Sequence, residues 1–206
     1  MALKTFVKVN SITHLTDARY CAGMYVDLLG FALEPSSSKY VSPNLFQEIT
    51  GWISGTGMCG EFTHSSGEQV LTALTNYTGL TAIQHEELAA LIDLSGRGLE
   101  LFWKVDVAQI SGKANELGPI LSKNSIQLLL TADQTELTEE TENTIREFAD
   151  YCSIILGFGI KATIADELLE TLPLKGFALD GGEEIKPGLR DFEQMAELLE
   201  LLEIED

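Results

Sequence analysis

The 206-residue sequence predicts an α/β fold, a single-domain (β/α)8 TIM barrel spanning residues 1–206. Three observations predict it. Strand-like and helix-like runs alternate strictly, which implies a parallel sheet with right-handed crossovers. Eight such units can be counted, enough to close a barrel at the short end of that fold's size range. Runs such as "VDLLGFAL" (26–33) are apolar almost without interruption, as strands covered on both faces must be. The rival is an open doubly wound sheet. It would carry Gly-x-Gly-x-x-Gly after its first strand, and that motif is absent.

The elements follow in order. "KTFVKV" (4–9) reads as the first strand. In the helix after it, Thr13 is the expected N-cap, and Leu15, Ala18, Cys21 and Ala22 form the apolar stripe. After the second strand, Ser42 caps a helix with Pro43 at its first position and Leu45, Phe46, Ile49, Trp52 and Ile53 on its inner face. "MCGEF" (58–62) is the third strand, followed by a helix in which Ser65 and Glu68 have capping-box spacing. "LTAIQ" (80–84) and "LELFWKVD" (99–106) are the fourth and fifth strands, with a short helix between them at 86–93. The next helix contains Gly118 and Pro119, both unfavourable in a helix interior. "SIQLLLTA" (125–132) is the sixth strand, and Thr138 caps the acidic helix after it. "CSIILGFG" (152–159), a helix over 161–172 and "GFALD" (176–180) follow. "PGLRDFEQMAELLELL" is expected to close the chain as a helix with Leu189, Phe192, Met195, Leu199 and Leu202 facing inward.

Composition excludes several functions. A net charge of −19 opposes binding to nucleic acid, whose affinity rests largely on lysine and arginine at phosphates, and to anionic membranes. No apolar run approaches the ~18 residues of a membrane span, and "MALKTFVKVN" lacks the h-region of a signal peptide, so a cytoplasmic protein is expected. Cys21, Cys59 and Cys152 are scattered and odd in number, which suits free thiols better than disulfides or a zinc ribbon. Neither a His-Glu-x-x-His nor a Cys-x-x-Cys motif occurs, so no metal and no cofactor is expected. Trp52 and Trp103 read as core, and His14 as a surface residue.

Several segments, in order along the whole chain, resemble phosphoribosylanthranilate isomerase, the small barrel enzyme of tryptophan biosynthesis. Lys8-Val9-Asn10-Ser11-Ile12-Thr13, then Asp17-Ala18, is similar to the family's Lys-(Ile/Val)-Cys-Gly-(Ile/Leu)-Thr turn and the Asp-Ala of its helix. Gly30-Phe31-Ala32-Leu33, Pro35 and "SSSKYVSP" resemble its second strand and serine-rich turn. "CGEFTHSSGEQVL", "LTAIQHEE" and "LDGGEEIKPGLRDF" resemble its third strand, its Val-Gln-Leu-His-Gly motif and its closing segment. The resemblance implies an isomerase barrel whose base is the first-strand cysteine and whose acid is an aspartate ending the sixth strand.

The departures fall on that chemistry. Asn10 stands at the base position, and an amide cannot accept a proton near neutrality. Ser11 replaces the following glycine, and Thr131 stands at the acid position with Asp133 two residues on. Lys39 replaces an arginine and cannot make its bidentate fork. The phosphate turns implied by the resemblance fall on Gly157 and Gly159 and on Asp180, Gly181 and Gly182, where the aspartate would oppose an anion. The other polar residues expected around the mouth are Glu34, His64, His85, Lys104 and Asp106. His85 with Asp180, or Lys104 with Asp133, could form a new acid–base pair. Three classes of function follow: a barrel binding a small ligand, a sugar phosphate among the candidates, or a partner, without isomerase turnover; an isomerase with a rearranged site; and a different enzyme using the same mouth. Monomer and homodimer are both compatible with the sequence.

Overall fold

In the computed structural model, residues 2–133, 136–181, 183–186, 189–191 and 193–204 are described. Eight parallel strands close on themselves in sequence order: β1 (Phe6–Asn10), β2 (Leu28–Ala32), β3 (Gly57–Phe62), β4 (Ala82–His85), β5 (Glu100–Asp106), β6 (Ile126–Thr131), β7 (Ile154–Leu156) and β8 (Gly176–Asp180). Closure comes from β1 against β8, in a register that runs from Phe6 beside Gly176 to Asn10 beside Asp180. Asn10 and Asp180 are therefore neighbours at the C-terminal rim, where side chains from all strands converge.

Around the barrel lie α1 (Leu15–Gly23), α2 (Pro43–Thr50), α3 (Gly67–Leu74), α4 (Leu88–Leu94), α5 (Val107–Ile110), α6 (Ala114–Lys123), α7 (Glu139–Ala149) and α8 (Ala162–Thr171). Ser42 and Thr138 cap α2 and α7 as their positions suggest, each accepting from a backbone N–H three residues on. The capping box of α3 lies one residue later than expected, on Ser66 and Gln69. The N-cap position of α1 is His14, not Thr13, and carries no side-chain cap. Helix α6 contains Pro119 and still runs to Lys123.

The chain's end differs from expectation. A short antiparallel pair, β9 (Glu183–Lys186) and β10 (Leu189–Asp191), precedes α9 (Glu193–Leu202). Leu189 thus belongs to a strand, and Phe192 lies outside the described residues. Trp52 is also a correction. Helix α2 ends at Thr50, so Trp52 lies past the helical stripe and is 75% exposed.

The barrel interior is divided by height. Its lower part is apolar, with Leu28, Cys59, Ala82, Phe102, Leu129, Ile155 and Ala178 buried against Phe6. Lys175 Nζ sits 4.3 Å from the Phe6 ring centroid, a cation–π contact at the opposite end from the rim. The upper part is polar, which is unusual for buried positions and marks the site.

Candidate active site

The polar layer begins with Lys8. The period-two alternation of a strand points Lys8 and Asn10 inward. Lys8 is 0% exposed, and its ammonium pairs with Glu61 Oε1 at 2.6 Å. It also donates to Asn10 Oδ1. The other end of the Asn10 amide donates from Nδ2 to Asp180 Oδ1 at 3.3 Å. Glu61 Oε2 accepts from the Ser11 backbone N–H at 3.1 Å and from its hydroxyl at 3.2 Å. Ser11 has φ = +55°, a left-handed conformation that costs a non-glycine residue roughly 1 kcal/mol, and its two bonds to Glu61 offset that cost. Gly30 makes room for the pair: a Cβ there would stand 1.9 Å from Glu61 Oε1 and 2.7 Å from Lys8 Nζ.

Above this pair lies a cavity of about 190 Å³, walled by Asn10, Ser11, Glu34, Glu61, Gln84, Glu86, Lys104 and Asp180 among others. Lys104 pairs with Glu86 at 2.9 Å. Glu34 Oε1 accepts from the backbone N–H groups of His64 and Ser65 at 2.9 and 2.5 Å. Burial pushes the Glu34 carboxyl up, but hydrogen bonds from the Ser65 side chain and the backbone of residues 63–65 more than offset it and hold the pKa below the usual glutamate range.

Beside the cavity is a broader groove of about 750 Å³ where β7 and β8 end. Gly157, Gly159, Lys161, Gly181 and again Asp180 line it, with the first turn of α8. Gly159 has φ = +66°, a turn that suits glycine. Lys161 at the N-cap of α8 makes no side-chain cap, and Ala162 and Thr163 of the first turn line the groove, while the Ile164 N–H donates back to the Lys161 carbonyl at 3.1 Å.

No family model matches the chain. It is similar from end to end to N-(5'-phosphoribosyl)anthranilate isomerase of Gloeothece citriformis, 26% identical over 208 residues that cover 95% of this chain and 93% of that one. The phosphoribosyl anthranilate isomerase of Thermus thermophilus matches its fold with a TM-score of 0.75 at 21% identity, over 96% of this chain and 98% of that one. The chain is thus similar along its whole length to phosphoribosylanthranilate isomerases. A further phosphoribosylanthranilate isomerase structure, in complex with reduced 1-(o-carboxyphenylamino)-1-deoxyribulose 5-phosphate, matches with a TM-score of 0.73 at 20% identity, over 96% and 98% of the two chains.

In this barrel the sequence-derived site residues separate into groups. Asn10, Lys104 and Asp180 meet at the cavity, and Gly157, Gly159, Gly181 and Asp180 at the groove. Thr131 ends β6 beside Asp106 of β5 and is not a wall of the Asn10 cavity. Asp133 lines a separate hollow of about 350 Å³ with Asp106, which caps the Ala108 N–H at 2.8 Å. Lys104 and Asp133 are thus walls of different spaces. Lys39 is exposed in the turn after β2 and does not line the cavity. Gly182 lies outside the described residues.

His85 points away from the mouth. It is fully buried, stacked on Phe62 at 6.3 Å. Its Nδ1 accepts from the Glu87 N–H at 2.8 Å, so Nε2 carries the proton and donates to the Ser65 carbonyl at 2.7 Å. Burial pushes its pKa down, and with both nitrogens committed it holds the loop after β3 in place. The side chains of β4 that reach the cavity are Gln84 and, just past the strand, Glu86. Lys8, Glu61, Gln84, Glu86 and Lys161 were missed as site residues. Period-two alternation, applied through each strand's end, is the signal that finds the first four.

The thiols offer no replacement base. Burial pushes Cys21 and Cys59 up to about 12 and Cys152 to about 11. Among the described residues no group of three or more His, Cys, Asp or Glu side chains could hold a metal ion. No helix among them is long and apolar enough to cross a membrane.

Proposed function

We propose that this barrel binds a small phosphorylated ligand at its mouth and does not carry out the isomerase reaction of its relatives. The observation that carries the reading is Asn10. It stands where the family resemblance implies a base, and both ends of its amide are tied, to Lys8 and to Asp180. An amide so placed orients neighbours and moves no proton. Thr131, at the implied acid position, has a hydroxyl that gives up no proton near neutral pH. The groove supports a phosphate: glycines bring the backbone close, the start of α8 offers N–H groups, and Lys161 adds a cation. A sugar phosphate fits this combination of an anion groove and an adjoining polar cavity.

The rival reading, a rearranged isomerase, draws on similarity to named isomerases over 95% of the chain. It requires a carboxylate such as Glu61 to act as base, yet Lys8 and Ser11 already occupy both Glu61 oxygens. Steady-state assay with phosphoribosylanthranilate, following loss of its fluorescence, separates the two. The expected result is no turnover by the wild type and detectable turnover by the Asn10→Cys, Thr131→Asp double variant. Turnover by the wild type overturns the reading.

A further inference from the structure

One imidazole, that of His85, ties two loops of the rim together. The loop after β3 is held at Ser65, whose carbonyl accepts from Nε2 at 2.7 Å. The loop after β4 is held at Glu87, whose backbone N–H donates to Nδ1 at 2.8 Å. Only the neutral ring, protonated at Nε2, makes both bonds at once. Ser65 is gripped a second time, since Glu34 accepts from its N–H at 2.5 Å and from the His64 N–H at 2.9 Å. These segments are walls of the mouth: Glu34, Thr63 and Glu86 all line the cavity.

A proton at Nδ1 would undo that arrangement. The ring would then present a donor to the Glu87 N–H, and two donors cannot share a bond, so the link must open. The charge would also arrive in a dry place, since His85 is fully buried. On β3 its neighbour is the Phe62 ring, and on β5 it is Trp103, whose Nε1 donates to the Glu86 carbonyl at 3.0 Å. The charged groups that bear on the ring are Glu34, past the end of β2, and Glu86 and Glu87, after β4. Glu61 of β3 and Lys104 of β5 line the cavity on the other face of the sheet. His64 in the loop after β3, Glu68 of α3 and Asp93 of α4 are exposed. Burial outweighs the three carboxylates and holds His85 below the ordinary histidine value of about 6.5. An imidazolium drawn toward Glu34 would compete with the His64 and Ser65 N–H groups for the carboxylate that grips their loop.

We propose that His85 is a proton-operated latch on the mouth. As a neutral ring it joins the loops after β3 and β4. On gaining a proton at Nδ1 it lets go of the Glu87 N–H and loosens the walls that carry Thr63 and Glu86. The sign follows from the depressed value: the folded state binds fewer protons than the unfolded one. The latch is therefore fully closed above about 6.5 and opens as pH falls through the lower folded value. The device regulates the site of the proposed function and rests on that reading in one respect: the mouth is where the ligand sits. Its opening needs neither ligand nor turnover.

The test is an NMR titration of the uniformly ¹³C,¹⁵N-labelled full chain, without ligand, from about pH 8 to about pH 4. The His85 ring resonances report its protonation, the Glu34 carboxyl carbon reports its own, and the backbone amides of Ser65 and Glu87 report the two loops. The Ser65 and Glu87 signals are expected to move with the His85 ring at one shared midpoint, and the exchange protection of the Glu87 N–H to fall about tenfold across it. The amide of Phe148 in α7, a helix that neither loop touches through His85, is expected not to follow. His85→Gln keeps an N–H for the Ser65 carbonyl and has no proton to gain, so its loops are expected to show no step at that midpoint. A ring that titrates while Ser65 and Glu87 stay still overturns the proposal. So does loop movement that tracks Glu34 instead of His85, the same step in His85→Gln, or global unfolding before the ring titrates. The wild-type titration decides the matter even where the variant folds poorly. The isomerase assay is separate: wild-type turnover would defeat the loss of the reaction and leave the latch standing, whereas motionless loops would defeat the latch alone.

Discussion

Removing the Lys8 ammonium while keeping its bulk, as in Lys8→Met, leaves the Glu61 carboxylate buried without its cation. At the observed 2.6 Å, Coulomb's law with an effective dielectric constant of about 20 gives roughly 6 kcal/mol of gross attraction. Desolvating two ions costs several kcal/mol, so the net worth of the pair is small. Breaking it is different, because the survivor keeps its desolvation penalty: about 3–5 kcal/mol for one partner removed. Lys8→Met and Glu61→Leu are each expected to lose about that much, measured by urea unfolding with circular dichroism. The double variant is expected to lie within about 1 kcal/mol of wild type, since two apolar side chains can occupy the same space. The coupling between the sites is then large and favourable. Single variants within about 1 kcal/mol of wild type, with additive effects in the double, would refute the reasoning that the ammonium answers the carboxylate.

Two further outcomes follow from the same layer. Gly30→Ala forces a methyl group into the space of Glu61 Oε1 and Lys8 Nζ, and unfolding should show a loss of about 1–3 kcal/mol; the Glu61→Leu background should alter that loss, because the clashing carboxylate is gone. Glu34 supplies a pH dependence: its folded pKa is depressed, so the folded state binds fewer protons than the unfolded one as pH falls. Its stabilisation is full above the ordinary glutamate value of about 4.3 and is lost as pH drops through the lower folded value. Glu34→Gln is therefore expected to flatten the acid side of the stability–pH curve relative to wild type, and an unchanged curve would refute it.

How much of this was legible in the sequence depended on the length of each signal. The eight strand–helix units were read from apolar runs alternating with helically spaced segments, and the barrel follows. The end of the chain was misread because β10 is three residues long and pairs with a strand only slightly earlier. β7 is as short, but its Ile-Ile-Leu is an unbroken apolar run, whereas β10 is the mixed Leu-Arg-Asp and the apolar spacing of α9 extends into it by accident. Trp52 was misplaced because a helical stripe was continued two residues beyond the helix end at Thr50. At the site, choosing residues by chemical type favoured His85, whereas the strand's alternation turns it outward and turns Gln84 inward. Glu61 was visible as a charge inside the short apolar strand "MCGEF", but its partner lies 53 residues away, and only the closed sheet brings Lys8 to it. Lys161 went unnoticed because its role depends on where α8 starts.

Asp180 is a wall of both the cavity and the groove. The two spaces therefore share one charge and are thermodynamically linked. An occupant that neutralises Asp180 from the cavity side lowers the repulsion felt by an anion in the groove, and the anion returns the same factor to the cavity. A ligand with a positive and a negative end would gain from both sides of this single carboxylate. A ligand anionic at both ends would meet it twice.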